Sequence, residues 1–243
     1  MQDLQYSGIC LVAVEEPRSV AEALSEQSWK KAMEEEMKAI HENQTWVPCA
    51  LPPKQKAISL KWVFKVKKDP EGNVVKHKAC LVPKGYAQRQ GIDFDEVYAP
   101  VARIETVRVL LALAAHGGWE VHHMDVKSAF LNGELTETVY VQQPLGFMIG
   151  DSDKVLRLKK ALYGLRQAPR AWNAKLDKEM IALGFERSKL EHAVYRTNSG
   201  ESFLIVGVYV DDLIISGPSV QDILRFKTEM RRKINMSDLG LLS

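Results

Sequence analysis

Phe203 to Gly217 reads FLIVGVYVDDLIISG, and the way this stretch divides decides the fold. Eight largely apolar residues run into Asp211 and Asp212, three more apolar residues follow, and Gly217-Pro218 ends the run. The pattern predicts a β-hairpin of two buried strands with the paired aspartates as its two-residue tip. Aspartate suits such a tip because its short side chain bonds nearby backbone and tolerates unusual dihedrals. A plain turn would account for the pair, so a functional reading needs a third carboxylate close by.

Asp125 is the candidate, 86 residues upstream in WEVHHMDVKSAF. Trp119, Val121 and His123 precede it at period two, which predicts a strand ending at Asp125 and able to lie beside the hairpin. Three carboxylates would then share one sheet edge. Two Mg²⁺ ions about 3.5–4 Å apart can hold an attacking hydroxyl and a leaving pyrophosphate in line, and hard Mg²⁺ takes carboxylate, water and phosphate oxygens. Without metal such carboxylates repel one another, which raises at least one pKa.

Tyr209-Val210-Asp211-Asp212, preceded by MDVKSAFLNGEL and by LKKALYGLRQAPRAW at Leu158 to Trp172, resembles the reverse transcriptase of copia-type LTR retrotransposons. The likeness runs over about residues 28–243, with three separate blocks in the family's order. It implies an α+β fold of palm and fingers, an antiparallel palm sheet carrying the catalytic hairpin and backed by helices. It implies RNA-directed DNA polymerase activity by two-metal nucleotidyl transfer, with Asp125, Asp211 and Asp212 as catalytic residues and ligands of two Mg²⁺ ions, for which Mn²⁺ can substitute. The implied partners are an RNA or DNA template with its primer, dNTPs, and the integrase and RNase H domains of a polyprotein. The implied location is intracellular, a cytoplasmic virus-like particle, with the nucleus as the alternative. Residues 1–27 read as an N-terminal extension with a short helix, and 28–243 as fingers and palm with the fingers hairpin at about 60–85. The family continues beyond a segment like SDLGLLS into a primer-gripping hairpin, a thumb and an RNase H domain, so thumb and RNase H are expected to be absent.

The fingers hairpin is legible without the resemblance. Trp62, Phe64 and Val66 alternate with Lys61, Lys65 and Lys67, and the turn DPEGN returns the chain through VVKHKACLV. Lys65, Lys67, Lys76 and Lys78 either hold phosphates as point charges or make an exposed sheet face soluble. By resemblance, Lys65 and Lys78 belong to the nucleotide site, with Tyr209. The family's usual block reads like KARLVAKG, whereas here Cys80 takes the place of arginine and Pro83 that of alanine, and a thiol cannot make a bidentate phosphate contact. Phe130, five positions past Asp125, is by resemblance the ring beneath the nucleotide sugar that excludes a 2′-hydroxyl; an ordinary core phenylalanine is the other reading. Gln167 stands just before a helix that opens at Pro169, where free N–H groups favour phosphate; by resemblance it contacts the incoming nucleotide, and Arg166 and Arg170 either contact template–primer phosphates or form surface ion pairs.

The remaining sequence frames these blocks. A net charge of +2 does not announce a nucleic-acid binder, so any basic footprint must be local, and 46% hydrophobic residues suffice for a core. Cys10, Cys49 and Cys80 show no CxxC spacing, which fits free thiols in a reducing compartment, and no stretch approaches the length of a membrane span. Ser19 and Glu22 fit a capping box, and Trp29, Met33, Met37 and Ile40 recur at helical spacing. Three prolines near Cys49 predict an irregular or edge-like segment. Residues 103–115 read as an apolar core helix stopped at Gly117-Gly118, and Ser219 to Asn235 as a last helix burying Ile223, Phe226, Met230 and Ile234. Adjacent His122 and His123 would point to opposite faces of a strand and so not share a metal. Besides a polymerase, the readings are a non-catalytic nucleic-acid-binding remnant and an unrelated structural protein, which three coincident blocks disfavour.

Overall fold

A computed structural model describes residues 16–197 and 203–242. In chain order the elements are α1 (Val20–Ser25), α2 (Gln27–Glu42), β1 (Trp46–Cys49), β2 (Leu60–Lys68), β3 (Val74–Pro83), α3 (Ile104–Gly117), β4 (Val121–Val126), β5 (Tyr140–Val141) and β6 (Val155–Leu158). There follow α4 (Ala168–Ala182), β7 (Glu186–Arg187), β8 (Val194–Arg196), β9 (Ile205–Tyr209), β10 (Asp212–Ser216), α5 (Val220–Lys233) and β11 (Met236–Leu241). Helices and antiparallel sheet are thus mixed as expected. The sequence Asn198-Ser199-Gly200 predicts a turn, which lies outside the described residues.

Six strands in the order β11-β4-β10-β9-β8-β7 form the main sheet. Alternation along β4 and β10 sends Met124, Val126, Leu213 and Ile215 into one buried cluster with Trp172, Leu176 and Met180 of α4 and Ile223, Phe226 and Met230 of α5. The two helices therefore cover one face only. Asp125 and Asp212, of opposite parity, project from the other face, where α3 also packs: a Cβ at Gly207 would lie 2.5 Å from Leu110 Cδ1. That glycine lets the helix approach the sheet.

The α3 helix differs from its expected place in the core. Only Leu110 and Ala114 are buried, while Ile104 and Val109 are 56% and 65% exposed. The helix lies chiefly against β9, so a narrow stripe is covered. Its stop is as read, with Gly118 left-handed at φ 64°.

The basic hairpin β2–β3 pairs Leu60↔Pro83 through Lys68↔Val74 and packs its apolar face on α2, where Trp29 meets Phe64 edge-on at 5.4 Å and His77 at 4.6 Å. Glu36 of α2 accepts a hydrogen bond from the Leu81 N–H (3.2 Å), so the helix also satisfies an open strand edge. Ser19 caps α1 by accepting from the Glu22 N–H (3.1 Å), although Glu22 reaches back to the Arg18 N–H and not to that of Ser19. The proline-rich β1 is indeed an edge strand of the small sheet β1-β6-β5. β11 was not foreseen: it adds to the free edge of β4 with a bulge between Asp238 and Gly240.

Candidate active site

The hairpin tip is Val210-Asp211, one residue earlier than the sequence suggested, because Asp212 already pairs with Tyr209 as the first residue of β10. Val210 takes φ 57°, a costly conformation for a β-branched residue. Two hydrogen bonds hold it there. The Trp172 indole N–H donates to the Val210 carbonyl (2.7 Å), and the Val126 N–H donates to the Asp211 carbonyl (2.8 Å). The tip is therefore fixed both to α4 and to the strand that carries Asp125.

Cross-strand register sets Asp125 directly opposite Asp212. Asp125 and Asp211 line one cleft of about 290 Å³ between the sheet edge, α2 and the basic hairpin; Lys78, Lys127 and Tyr163 share its wall. Burial pushes the Asp211 carboxyl above the usual carboxylate range, and repulsion from Asp212 and Asp125 adds to the effect against the pull of Lys78. Asp125 is ion-paired with Lys127. Asp212 accepts from His123 Nε2 at 2.7 Å and is not part of the cleft wall. Among the described residues no three His, Cys, Asp or Glu side chains form a ready ligand cage. The donors nonetheless suit a hard divalent cation: two carboxylates converge on one cleft, and one of them is a poorly solvated anion that a cation would relieve.

The other expected residues divide between those at the cleft and those away from it. Lys78 is exposed on the cleft wall, whereas its cross-strand partner Lys65 is bonded to Glu16 at 2.9 Å. Lys67 and Lys76 also line the cleft. Tyr209 is half exposed beside the tip. Phe130 stands in the 3₁₀ turn Ala129–Asn132 and packs on Tyr163 with centroids 4.5 Å apart, outside the cleft wall. Gln167 is 2% exposed and engaged at both ends, accepting from Gln88 Nε2 and donating to the Asp93 carbonyl, each at 2.9 Å. Arg166 donates to the Gly85 carbonyl (3.3 Å) and lies over the Phe94 ring, and Arg170 pairs with Glu96 (2.9 Å). The loop at 85–96 thus occupies all three.

Lys127, Tyr163 and Glu36 are the neighbours that sequence reasoning did not single out, and His123, read only as no partner of His122 for a metal, bonds Asp212. For Lys127 and Tyr163 a signal existed, since both fall inside the blocks MDVKSAFLNGEL and LKKALYGLRQAPRAW.

The antiparallel sheet with its acidic hairpin accords with the comparisons. The profile of the family described as reverse transcriptase (RNA-dependent DNA polymerase) matches residues 43–243, and the chain belongs to that family. It is 41% identical over 230 residues to the Retrovirus-related Pol polyprotein from transposon TNT 1-94 of Nicotiana tabacum, a match covering 93% of this chain and 17% of that protein. The Arabidopsis thaliana polyproteins from transposons RE1 and RE2 are 39% and 40% identical over 88% and 85% of this chain, and 15% and 14% of their own length. The chain is a reverse transcriptase domain of the kind found in retrotransposon Pol polyproteins, and it spans about a sixth of these relatives. No helix among the described residues is long and apolar enough to cross a membrane.

Proposed function

We propose that the cleft catalyses template-directed DNA synthesis from an RNA template, in which a primer 3′-hydroxyl attacks the α-phosphate of a dNTP and pyrophosphate leaves. The main sheet with α4 and α5 serves as palm, and the β2–β3 hairpin with α2 as fingers. The observation that carries this reading is the convergence of Asp125 and Asp211 on one cleft opposite Lys78. Asp125 and Asp211, with Asp212 as third carboxylate, would hold two Mg²⁺ or Mn²⁺ ions, which supply activation of the hydroxyl and neutralisation of charge on the leaving group.

The chain's own residues supply position and field. Lys78, with Lys67 and Lys76 beside it, faces triphosphate oxygens as mobile point charges. Lys127 neutralises Asp125 and is exposed enough to turn away. The doubly anchored tip keeps the Asp211 carboxylate aimed at the cleft. Gln167, Arg166 and Arg170 act indirectly, by fastening the 85–96 loop to the start of α4. Template and primer, and neighbouring polyprotein domains, are the macromolecular partners this reading assigns.

Primer extension on an RNA template, with Mg²⁺ and with EDTA, tests the proposal. Extension should require metal and fall by about a hundredfold or more in Asp125→Asn or Asp211→Asn. Extension by Asp211→Asn at the wild-type rate would sink it. A folded chain that binds primer–template but never extends it would instead favour a non-catalytic nucleic-acid-binding role.

A further inference from the structure

The end of β6 and the chain that follows it read Arg157-Leu158-Lys159-Lys160. Alternation buries Leu158 and leaves Arg157 and Lys159 outside. Across from them, the Leu135 N–H donates to the Lys159 carbonyl and the Leu158 N–H to the Val139 carbonyl, each at 2.9 Å. Three residues, 136–138, lie between these two ties on one side and none on the other, so this segment must arch away from the strand. Arch and strand end line a hollow of about 460 Å³ that shares no wall residue with the cleft of Asp125 and Asp211.

Charge is divided across the hollow. Arg157, Lys159 and Lys160 stand on the strand side, Glu134 and Glu137 on the arch side. Lys154, Arg170 and Lys175 are each paired with a carboxylate, whereas Arg157, Lys159 and Lys160 form no ion pair among the described residues. Burial pulls the Lys160 ammonium below its ordinary range against the field of Glu134, and Lys175 adds to the shift. Glu137 accepts from the Thr136 hydroxyl at 3.2 Å and not from a cation. Leu135 and Leu158 are the only apolar side chains in the wall, so it suits a polar ligand.

We propose that this hollow binds a mononucleotide, its phosphate held by Arg157, Lys159 and Lys160 and its sugar hydroxyls or base amino group donating to Glu134 and Glu137. The site does not depend on the polymerase reading of the cleft. Arginine grips phosphate as a fork, and the lysines add point charges. Ionised carboxylates only accept, so a ligand that meets both walls is anionic at one end and carries N–H or O–H donors at the other. Inorganic phosphate satisfies the strand side alone, and a dianionic ligand without donors is repelled by the arch. A nucleoside monophosphate satisfies both, and the hollow has the volume of a small-molecule site.

The test is equilibrium dialysis of AMP, inorganic phosphate and adenosine against the chain, with EDTA present so that metal-dependent binding at the cleft does not contribute. AMP should bind more tightly than phosphate or adenosine by about tenfold or more, since each of these meets one wall only. Arg157→Gln and Lys160→Gln, at surface positions, should each weaken AMP by about tenfold or more, the scale of a lost hydrogen bond to a charged group, and leave adenosine unchanged. Glu134→Gln should tighten inorganic phosphate, by removing a negative charge beside Lys160, while narrowing the advantage of AMP over it. Asp211→Asn should bind AMP as the wild type does, so a failure of the polymerase reading leaves this result untouched. The proposal is overturned if the wild-type chain binds no AMP, if phosphate or adenosine binds as tightly as AMP, or if Arg157→Gln and Lys160→Gln both keep wild-type affinity. It is equally overturned if Asp211→Asn abolishes the binding, which would put the nucleotide in the cleft.

Discussion

Val210 carries more of the site than its chemistry suggests. A valine at φ 57° is strained by about 1–2 kcal/mol, and the hydrogen bonds from Trp172 and Val126 offset that strain while fixing the direction of Asp211. Val210→Gly should therefore raise stability by about 1 kcal/mol in a denaturant titration and at the same time weaken Mn²⁺ binding, because the tip gains freedom. A stabilised variant with unchanged Mn²⁺ affinity would separate strain from aim. Glu36 offers a second residue-scale test. Burial raises its pKa above 4.5, so the folded state holds the proton more tightly than the unfolded one, and stability should fall as pH rises from that value through the folded pKa. Glu36→Gln, still able to accept from the Leu81 N–H, should flatten this fall and gain its advantage near pH 7. Cys80→Arg should do likewise by supplying a cation, since the Cys80 thiol lies near that carboxyl. Glu36→Gln melting with the wild-type pH slope would exclude the carboxyl as its source. The sequence could not show any of this: a left-handed valine has no propensity signal, and which carboxyl is desolvated depends on α2 meeting β3.

Among the elements, β11 shows how far periodicity reaches. The strands with apolar alternation, β2, β3, β4, β9 and β10, were legible, as were the Ser19 cap of α1, the helical spacing of α2 and α5 and the proline start of α4. MSDLGL alternates nothing, and it is a strand only because β4 has a free edge and because Lys227 fastens it. That lysine, 4% exposed, donates to Asp238 (2.6 Å) and to His122 Nδ1 (3.0 Å), which leaves the ring's Nε2–H to donate to Glu120 (2.9 Å). The sequence reading listed Ile223, Phe226 and Met230 on this helix and passed over the lysine between them, since burial of a charge depends on partners far along the chain. Lys227→Met keeps the volume and should cost about 2–3 kcal/mol by chemical denaturation, with Asp238 and His122 left without their donor. Hydrogen exchange should show β11 opening first; uniform loss of protection across the sheet would mean that the network does not act on that strand.

For the whole molecule, the cleft is where separately packed parts meet, so metal should report on the fold as well as the chemistry. Ions that bind the folded chain alone stabilise it as RT ln(1 + [L]/Kd), about 2.7 kcal/mol at a hundred times Kd. Thermal unfolding should shift upward with added Mn²⁺ in the wild-type chain and not in Asp125→Asn or Asp211→Asn; equal shifts in all three would place the ion elsewhere. The convergence of Asp125 on the hairpin was readable from two sequence blocks. The burial of Gln167 was not, since it follows from the way the 85–96 loop closes over the start of α4. A Cβ on Gly85 would lie 1.9 Å from the Gly164 carbonyl oxygen, and this contact has a mechanical side. It clamps the base of the β2–β3 hairpin, and since α2 packs along the hairpin the two would turn together as a lever with its fulcrum beside Tyr163 and its far end at the Asp69–Asn73 turn. Nine residues of β2 give an arm of about 30 Å, so a rotation of about 10° at the clamp sweeps the far end through about 5 Å while Lys78, halfway along, travels about half as far.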